Sequence, residues 1–314
     1  MRGRYRNLLM VGGSLGWIIL CVASAIAGEP LSPTVPAKLA FTAVKNEYRF
    51  NTGVLQGTLR EGGKSIGLRP VVETASGTAM SGPYGLFSIY RLLSADARYG
   101  TAAWDWASQS QLLADGAVEA RWRPDQEHPL EMTAVYRFAA ANVLDLQVTV
   151  RPRQELRHFE LFLASYFQGF PASLVYVREN PEAGGKPGFL AAKQATAHWQ
   201  MFPRDEEAVR ISSDGRWQRP PNPVTWKIMP QLAAPLAIRR DAARGLTAVL
   251  MAPAEDCFAV STPFGEDTHR SVYLSLFGRD LPAGQAASAR ARLVVARDLS
   301  DQQAIDLYRS YTKK

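Results

Sequence analysis

Between Ala117 and Val177 apolar side chains return at every second position, a pattern that only extended strands can use. Val118, Ala120 and Trp122 alternate with Glu119, Arg121 and Arg123. Leu130, Met132, Ala134, Tyr136 and Phe138 alternate with Glu131, Thr133, Val135 and Arg137, and Leu144, Leu146, Val148 and Val150 with Asp145, Gln147, Thr149 and Arg151. Successive side chains on a strand fall on opposite faces, so each segment has one apolar and one charged side. A sheet that covers a core on one side and meets water on the other needs this division. Short polar loops join the three, which predicts an antiparallel meander. His158 to Gln168 is apolar on both faces after Glu160 and reads as a central strand covered from both sides.

A second β block spans roughly residues 224–296. Leu236 to Arg240, Leu246 to Ala252, Cys257 to Thr262, Val272 to Phe277 and Ala289 to Ala296 read as strands, with Gly278 to Gly284 turning the chain before the last. Near the start, Val54 to Arg60 and Ser65 to Val72 flank Glu61-Gly62-Gly63-Lys64, a hairpin signal. A single helix closes the chain over 300–312, with Ser300 as N-cap, Gln303 completing a capping box, and a stripe of Ile305, Leu307, Tyr308 and Tyr311. The fold class is therefore all-β, a large antiparallel β-sandwich over 41–314 with a short C-terminal helix. Residues 178–226 read as irregular, and long loops on a regular scaffold are where sites tend to sit.

The first 27 residues read as a signal peptide. Arg2, Arg4 and Arg6 precede an apolar run from Leu8 to Val22, and Ala25-Ile26-Ala27 offers a cleavage site before Gly28. A proline-rich linker follows over 28–40. The expected location is the periplasm or the exterior, with membrane contact only through the signal segment if it is not cut. The whole chain carries +7; without Arg2, Arg4 and Arg6 the balance is 33 basic against 29 acidic side chains, or +4. No dense basic face follows from that, so nucleic acid is excluded as a partner. Cleavage would also remove Cys21 and leave Cys257 alone, with no intramolecular disulfide; Cys257 reads as a small buried hydrophobe.

The pattern resembles the galactose mutarotase-like superfamily, which includes the aldose 1-epimerases and other carbohydrate-binding supersandwiches, and in particular exported bacterial members of that type. The resemblance rests on the opening hairpin around Gly53-Val54-Leu55-Gln56-Gly57, on the long central meander, and on Asp280-Leu281-Pro282-Ala283-Gly284-Gln285 before the closing strand. It implies a supersandwich with a sugar-shaped cleft and a carbohydrate ligand. Epimerases of the superfamily carry a histidine in an asparagine-rich motif, a second histidine and a late glutamate base. No asparagine-histidine motif occurs here, so the resemblance implies a cleft more than a ring-opening reaction.

Three groups of residues have the chemistry of a sugar site, in which an aromatic plane stacks on a pyranose while polar groups read its hydroxyls. His198, Trp199, Arg204 and Asp205 fall within eight residues; the alternative is that the aromatics plug a sheet edge while Arg204 and Asp205 pair at the surface. Glu255 and Asp256, then Glu266, Asp267 and His269, offer acids and a histidine, although acidic pairs in turns are commonly solvated. Tyr84, Trp104, Asp105 and Trp106 could form a stacking wall, with the two tryptophans on one strand face, or else anchor the core. The expected binding residues are thus Trp199, Arg204, Asp205, Trp104 and Tyr84, and His198, His269 and Glu255 are the acid/base candidates if the protein is an enzyme. His158 is expected to be structural and His128, between prolines and charges, solvated. No metal-ligand spacing, calcium loop, nucleophile elbow or phosphate loop occurs, so neither a metal nor a cofactor is expected. A carbohydrate binder, a carbohydrate-active enzyme and an envelope scaffold remain open at this point.

Overall fold

The computed structural model describes residues 39–60 and 65–313. The proposed signal peptide, the linker up to residue 38 and the Glu61–Lys64 turn lie outside the described residues. Three antiparallel-dominated sheets make up the rest, and the strands of the central meander fall where alternation predicts them. Val118–Trp122, Leu130–Ala140 and Val143–Pro152 pair in sequence as a meander. They belong to a nine-stranded sheet that continues through Ala287–Arg297, Leu246–Met251 and Leu232–Asp241. On its charged face Asp145 stands directly opposite Arg292 and accepts two hydrogen bonds from it, at 2.6 and 2.8 Å.

A seven-stranded sheet packs on the inner face. Leu156–Tyr166 lies inside it between Ser88–Leu93 and Ser271–Leu281, and every residue from Phe159 to Tyr166 is buried. A five-stranded meander of residues 42–79 closes the third side, its Glu47–Asn51 and Leu55–Arg60 strands forming the expected opening hairpin. One apolar core is continuous across the three sheets, from Phe50 and Leu59 through Trp122 and Tyr136 to Leu161 and Leu274. The buried Tyr136 hydroxyl donates to the carbonyls of Ile66 and Phe87, at 3.1 and 2.9 Å, and so satisfies its own polar end while tying the sheets together.

Period two also explains why the Leu246–Met251 strand has no polar face. Ala248 and Leu250 enter the shared core, whereas Val249 and Met251 point the other way. There they meet Leu236, Ile238 and Val294 under a helix, α1 (Asp301–Thr312), whose Ala304 is fully buried. Ser300 caps this helix in a reciprocal capping box with Gln303, as the sequence predicts. No helix among the described residues is long and apolar enough to cross a membrane.

Three local expectations are corrected. Trp199–Pro203 is a strand of the seven-stranded sheet and not part of an irregular stretch. Trp104 and Trp106 do not share a strand, because Ala103–Asp105 forms one turn of 3₁₀ helix. The chain also stays extended to Leu281, where Leu156 still pairs with it and Asp280 Oδ1 accepts from the His158 amide at 2.8 Å, so the turn begins only at Pro282.

Candidate functional site

The face of the seven-stranded sheet that carries Phe162, Tyr166 and Tyr273 holds an aromatic cleft of about 460 Å³. Alternation along Leu156–Tyr166 sends Leu161 and Leu163 into the core and leaves Phe162 and Tyr166 on the cleft side; along Ser271–Leu281, Tyr273 does the same. Phe162 and Tyr273 stack at 4.4 Å to form the floor. On the neighbouring strand Phe162 pairs with Arg91 but Leu163 pairs with Ile89, so Tyr90 is the extra residue of a β-bulge. A bulge re-aims side chains that strict alternation would place elsewhere, and here both Tyr90 and Arg91 line the cleft.

Two aromatic walls rise from this floor. In one, Trp104 lies parallel to Tyr90 at 4.4 Å and to Tyr84 at 5.6 Å. In the other, Trp217 meets Trp226 edge to face at 5.2 Å, Trp226 meets Trp199 at 5.7 Å, and Trp199 meets His269 at 5.2 Å. Aromatic pairs favour these offset and T-shaped arrangements, which fix each ring by its neighbour. Asp105 and Asn222 add polar groups to the lining. Arg216, next to Trp217 in the chain, enters a fully buried ion pair, in which its Nη1 donates to Glu160 Oε2 at 3.3 Å. Burial raises the Glu160 carboxyl and the Arg216 charge opposes that; Ser275 Oγ donates to its other oxygen at 2.7 Å.

The tight turn joining Cys257–Pro263 to Ser271–Leu281 brings Asp267 beneath two histidines. Its Oδ1 accepts from the His269 amide at 2.8 Å and lies 3.0 Å from His269 Nδ1, while its Oδ2 lies 3.1 Å from His198 Nε2. Asp267 is buried and both imidazoles are half exposed. In the tautomer that gives Nδ1–H to Asp267, Nε2 of His269 is an acceptor. Among the described residues no group of three His, Cys, Asp or Glu side chains is placed to hold a metal ion.

Of the residues expected from the sequence, Tyr84, Trp104, Trp199 and His269 come together in this cleft. His198 reaches its margin through Asp267 and through its ring, 5.0 Å from Trp199. Three others are not brought to it. Arg204 pairs with Asp205 at 2.7 Å and bonds the Ala254 carbonyl, while Asp205 caps a short helix (Glu206–Ser212) through the Ala208 amide. Glu255 is exposed and pairs with Arg290 at 2.9 Å. His128 is not solvated: it is buried against Trp106, with ring centroids 3.7 Å apart, and its Nδ1 lies 2.8 Å from Asp125. Cys257 is buried as expected, and burial pushes its thiol up to about 12. Tyr90, Arg91, Trp217 and Trp226 were missed. Trp217 and Trp226 stand in a loop rich in proline and arginine, and nothing in the local pattern distinguishes them from surface aromatics.

No protein-family model matches the chain, and no curated protein does. Solved structures do. The Slr1438 protein from Synechocystis sp. PCC 6803 is 11% identical, with 83% of this chain and 98% of that one covered at a TM-score of 0.50. Galactose 1-epimerase from Lactobacillus acidophilus NCFM is 10% identical, covering 83% and 98%, with a TM-score of 0.48. The α-N-acetylgalactosaminidase NagBb from Bifidobacterium bifidum is 10% identical, covering 87% of this chain and 38% of that one, also at 0.48. The chain shares the fold of the Slr1438 protein, and at these identities the likeness is one of fold alone.

Proposed function

We propose that this protein is an exported carbohydrate-binding protein that holds a sugar or a polysaccharide segment in the aromatic cleft. The observation that carries the reading is the facing pair of aromatic walls, Tyr84–Trp104–Tyr90 and Trp217–Trp226–Trp199, around a cavity of about 460 Å³. Pyranose rings present apolar C–H faces that stack on such planes, and a volume in this range suits one or two sugar units. The indole N–H groups of Trp217 and Trp226 have no acceptor among the described residues, and such donors are ordinarily paired. Export rests on the basic, apolar and Ala-x-Ala order of residues 2–27. On a glycan array, followed by calorimetry with the best ligand, Trp199→Ala is expected to weaken binding roughly tenfold or more. Unchanged affinity, in a variant that still folds, would remove Trp199 from the site.

A second reading, acid/base catalysis on the bound sugar, is favoured by one observation, the Asp267–His269 contact at the cleft edge. A carboxylate that fixes the tautomer of an imidazole is the arrangement a general base requires. Turnover of a bound glycan, lost in His269→Ala with binding retained, would establish this reading; a ligand recovered intact after long incubation would exclude it.

A further inference from the structure

Arg91 is 5% exposed and lines the cleft, yet it makes no ion pair among the described residues. Its guanidinium lies 4.9 Å from the Tyr90 ring centre and 5.4 Å from that of Trp217, between the two aromatic walls. Nη2 donates to the Tyr90 hydroxyl at 3.1 Å and to the Asn222 carbonyl at 3.0 Å. Nη1 makes no hydrogen bond among the described residues, and the buried Nε has no partner either. Arg98 adjoins it, and the carbonyl of Arg219 accepts from Arg98 at 3.2 Å. Among the described residues Arg98 bonds only to the carbonyls of Gly100, Thr101, Arg219 and Pro221, and burial followed by the charge of Arg91 lowers it to about 10. Arg219 bonds to the carbonyls of Ser94 and Ala95. Asp96 is engaged by Arg157 and also feels the charge of Arg219, and among the described residues Asp105, exposed at the rim, pairs with neither Arg91 nor Arg98. A buried arginine is ordinarily matched by a carboxylate, because an unpaired charge is expensive to hold away from water.

We propose that the cleft is built for an acidic sugar, whose anionic group is received by Nη1 of Arg91 while its ring lies against the aromatic walls. The inference rests on the carbohydrate reading and narrows it to an anionic ligand. A uronate carboxylate and a sulfate ester share this chemistry, and both are acceptors that an arginine donor binds more strongly than a neutral hydroxyl.

The test compares the full chain's affinity, by calorimetry at low salt, for oligogalacturonate, for the same oligosaccharide after carboxyl reduction, and for a sulfated galactan oligosaccharide. The acidic form is expected to bind about tenfold or more tightly than its reduced counterpart, the range of one charge-assisted hydrogen bond. Tighter binding of the sulfated than of the carboxylated sugar would also uphold anionic recognition and assign the anion. In Arg91→Met, which keeps the apolar volume, the ratio between acidic and neutral ligands is expected to collapse toward one. Should that variant not fold, the wild-type comparison decides alone. Equal affinity of the wild type for acidic and reduced sugars would overturn this proposal and leave the carbohydrate reading standing; binding of no sugar at all would overturn both.

Discussion

Glu160 and Arg216 illustrate how a single buried contact places a surface feature. Both side chains are withdrawn from water, so each depends on the other, with Asp214 and Ser275 supplying the remaining bonds. Taking Arg216 away leaves the buried Glu160 carboxyl without a cation, whereas Arg216 without Glu160 still pairs with Asp214 at 2.8 Å. Arg216→Met is therefore expected to destabilise the protein by about 3–5 kcal/mol in denaturant unfolding, and Glu160→Gln by less. The double variant Glu160→Gln, Arg216→Met should lose less than the sum of the single losses, because the two groups are in contact. Additive losses would mean that the pair does not act as one unit. At this scale the sequence was partly legible. Trp104, Trp199 and His269 were recognisable by residue type, since few side chains suit a sugar face and a histidine beside acids stands out. Tyr90 and Arg91 were not, because the bulge that turns them into the cleft arises from how two strands distant in sequence pair and leaves no local signature. Glu255 and Arg204 misled for the opposite reason. Their types fit a site, but each finds a nearer partner in a turn.

Among the elements, the long strands were readable wherever one face meets water and the other a core, since that asymmetry is written directly in the alternation. Trp199–Pro203 escaped because four of its five residues are buried, so that Trp-Gln-Met-Phe-Pro shows no polar phase from which to read a strand. The closing helix shows the reverse case, in which capping chemistry alone marks the start. The Ser300 hydroxyl accepts from the Gln303 amide at 3.2 Å and the Gln303 side chain accepts from the Ser300 amide at 2.9 Å. Ser300→Ala is expected to cost about 1 kcal/mol, with a parallel loss of hydrogen-exchange protection over Asp301–Thr312. Loss of protection spread evenly over the sandwich would show instead that the helix does not open as a separate unit. Beneath the helix, Arg292 sits 4.2 Å from the Tyr311 ring while also pairing with Asp145, so the helix packs on a charged row as well as an apolar one.

For the whole molecule, one ion pair ties the five-stranded meander to the nine-stranded sheet. Arg297 donates to both oxygens of Glu73, at 3.2 and 2.8 Å, and Ser76 adds a backbone donor at 2.9 Å. Burial alone would raise the Glu73 carboxyl, but these bonds prevail and hold it at about 2, against 4.5 for the free side chain. A carboxylate depressed on folding stabilises the native state above its unfolded value and loses that contribution as pH falls toward its folded value. The stability difference between wild type and Glu73→Gln should therefore be full at neutral pH, shrink below about 4.5 and vanish near 2. Thermal melts of both proteins across that range would reveal it, and a gap that did not change with pH would show that the Glu73 charge plays no part in joining the sheets.

Four of the seven tryptophans of the chain, Trp104, Trp199, Trp217 and Trp226, line one cavity. Three of them touch in series at 5.7 and 5.2 Å, close enough for their excited states to mix. Their near-ultraviolet dichroism and emission thus report on the same few ångströms of space, so that any molecule entering there alters the protein's own optical spectrum without a label.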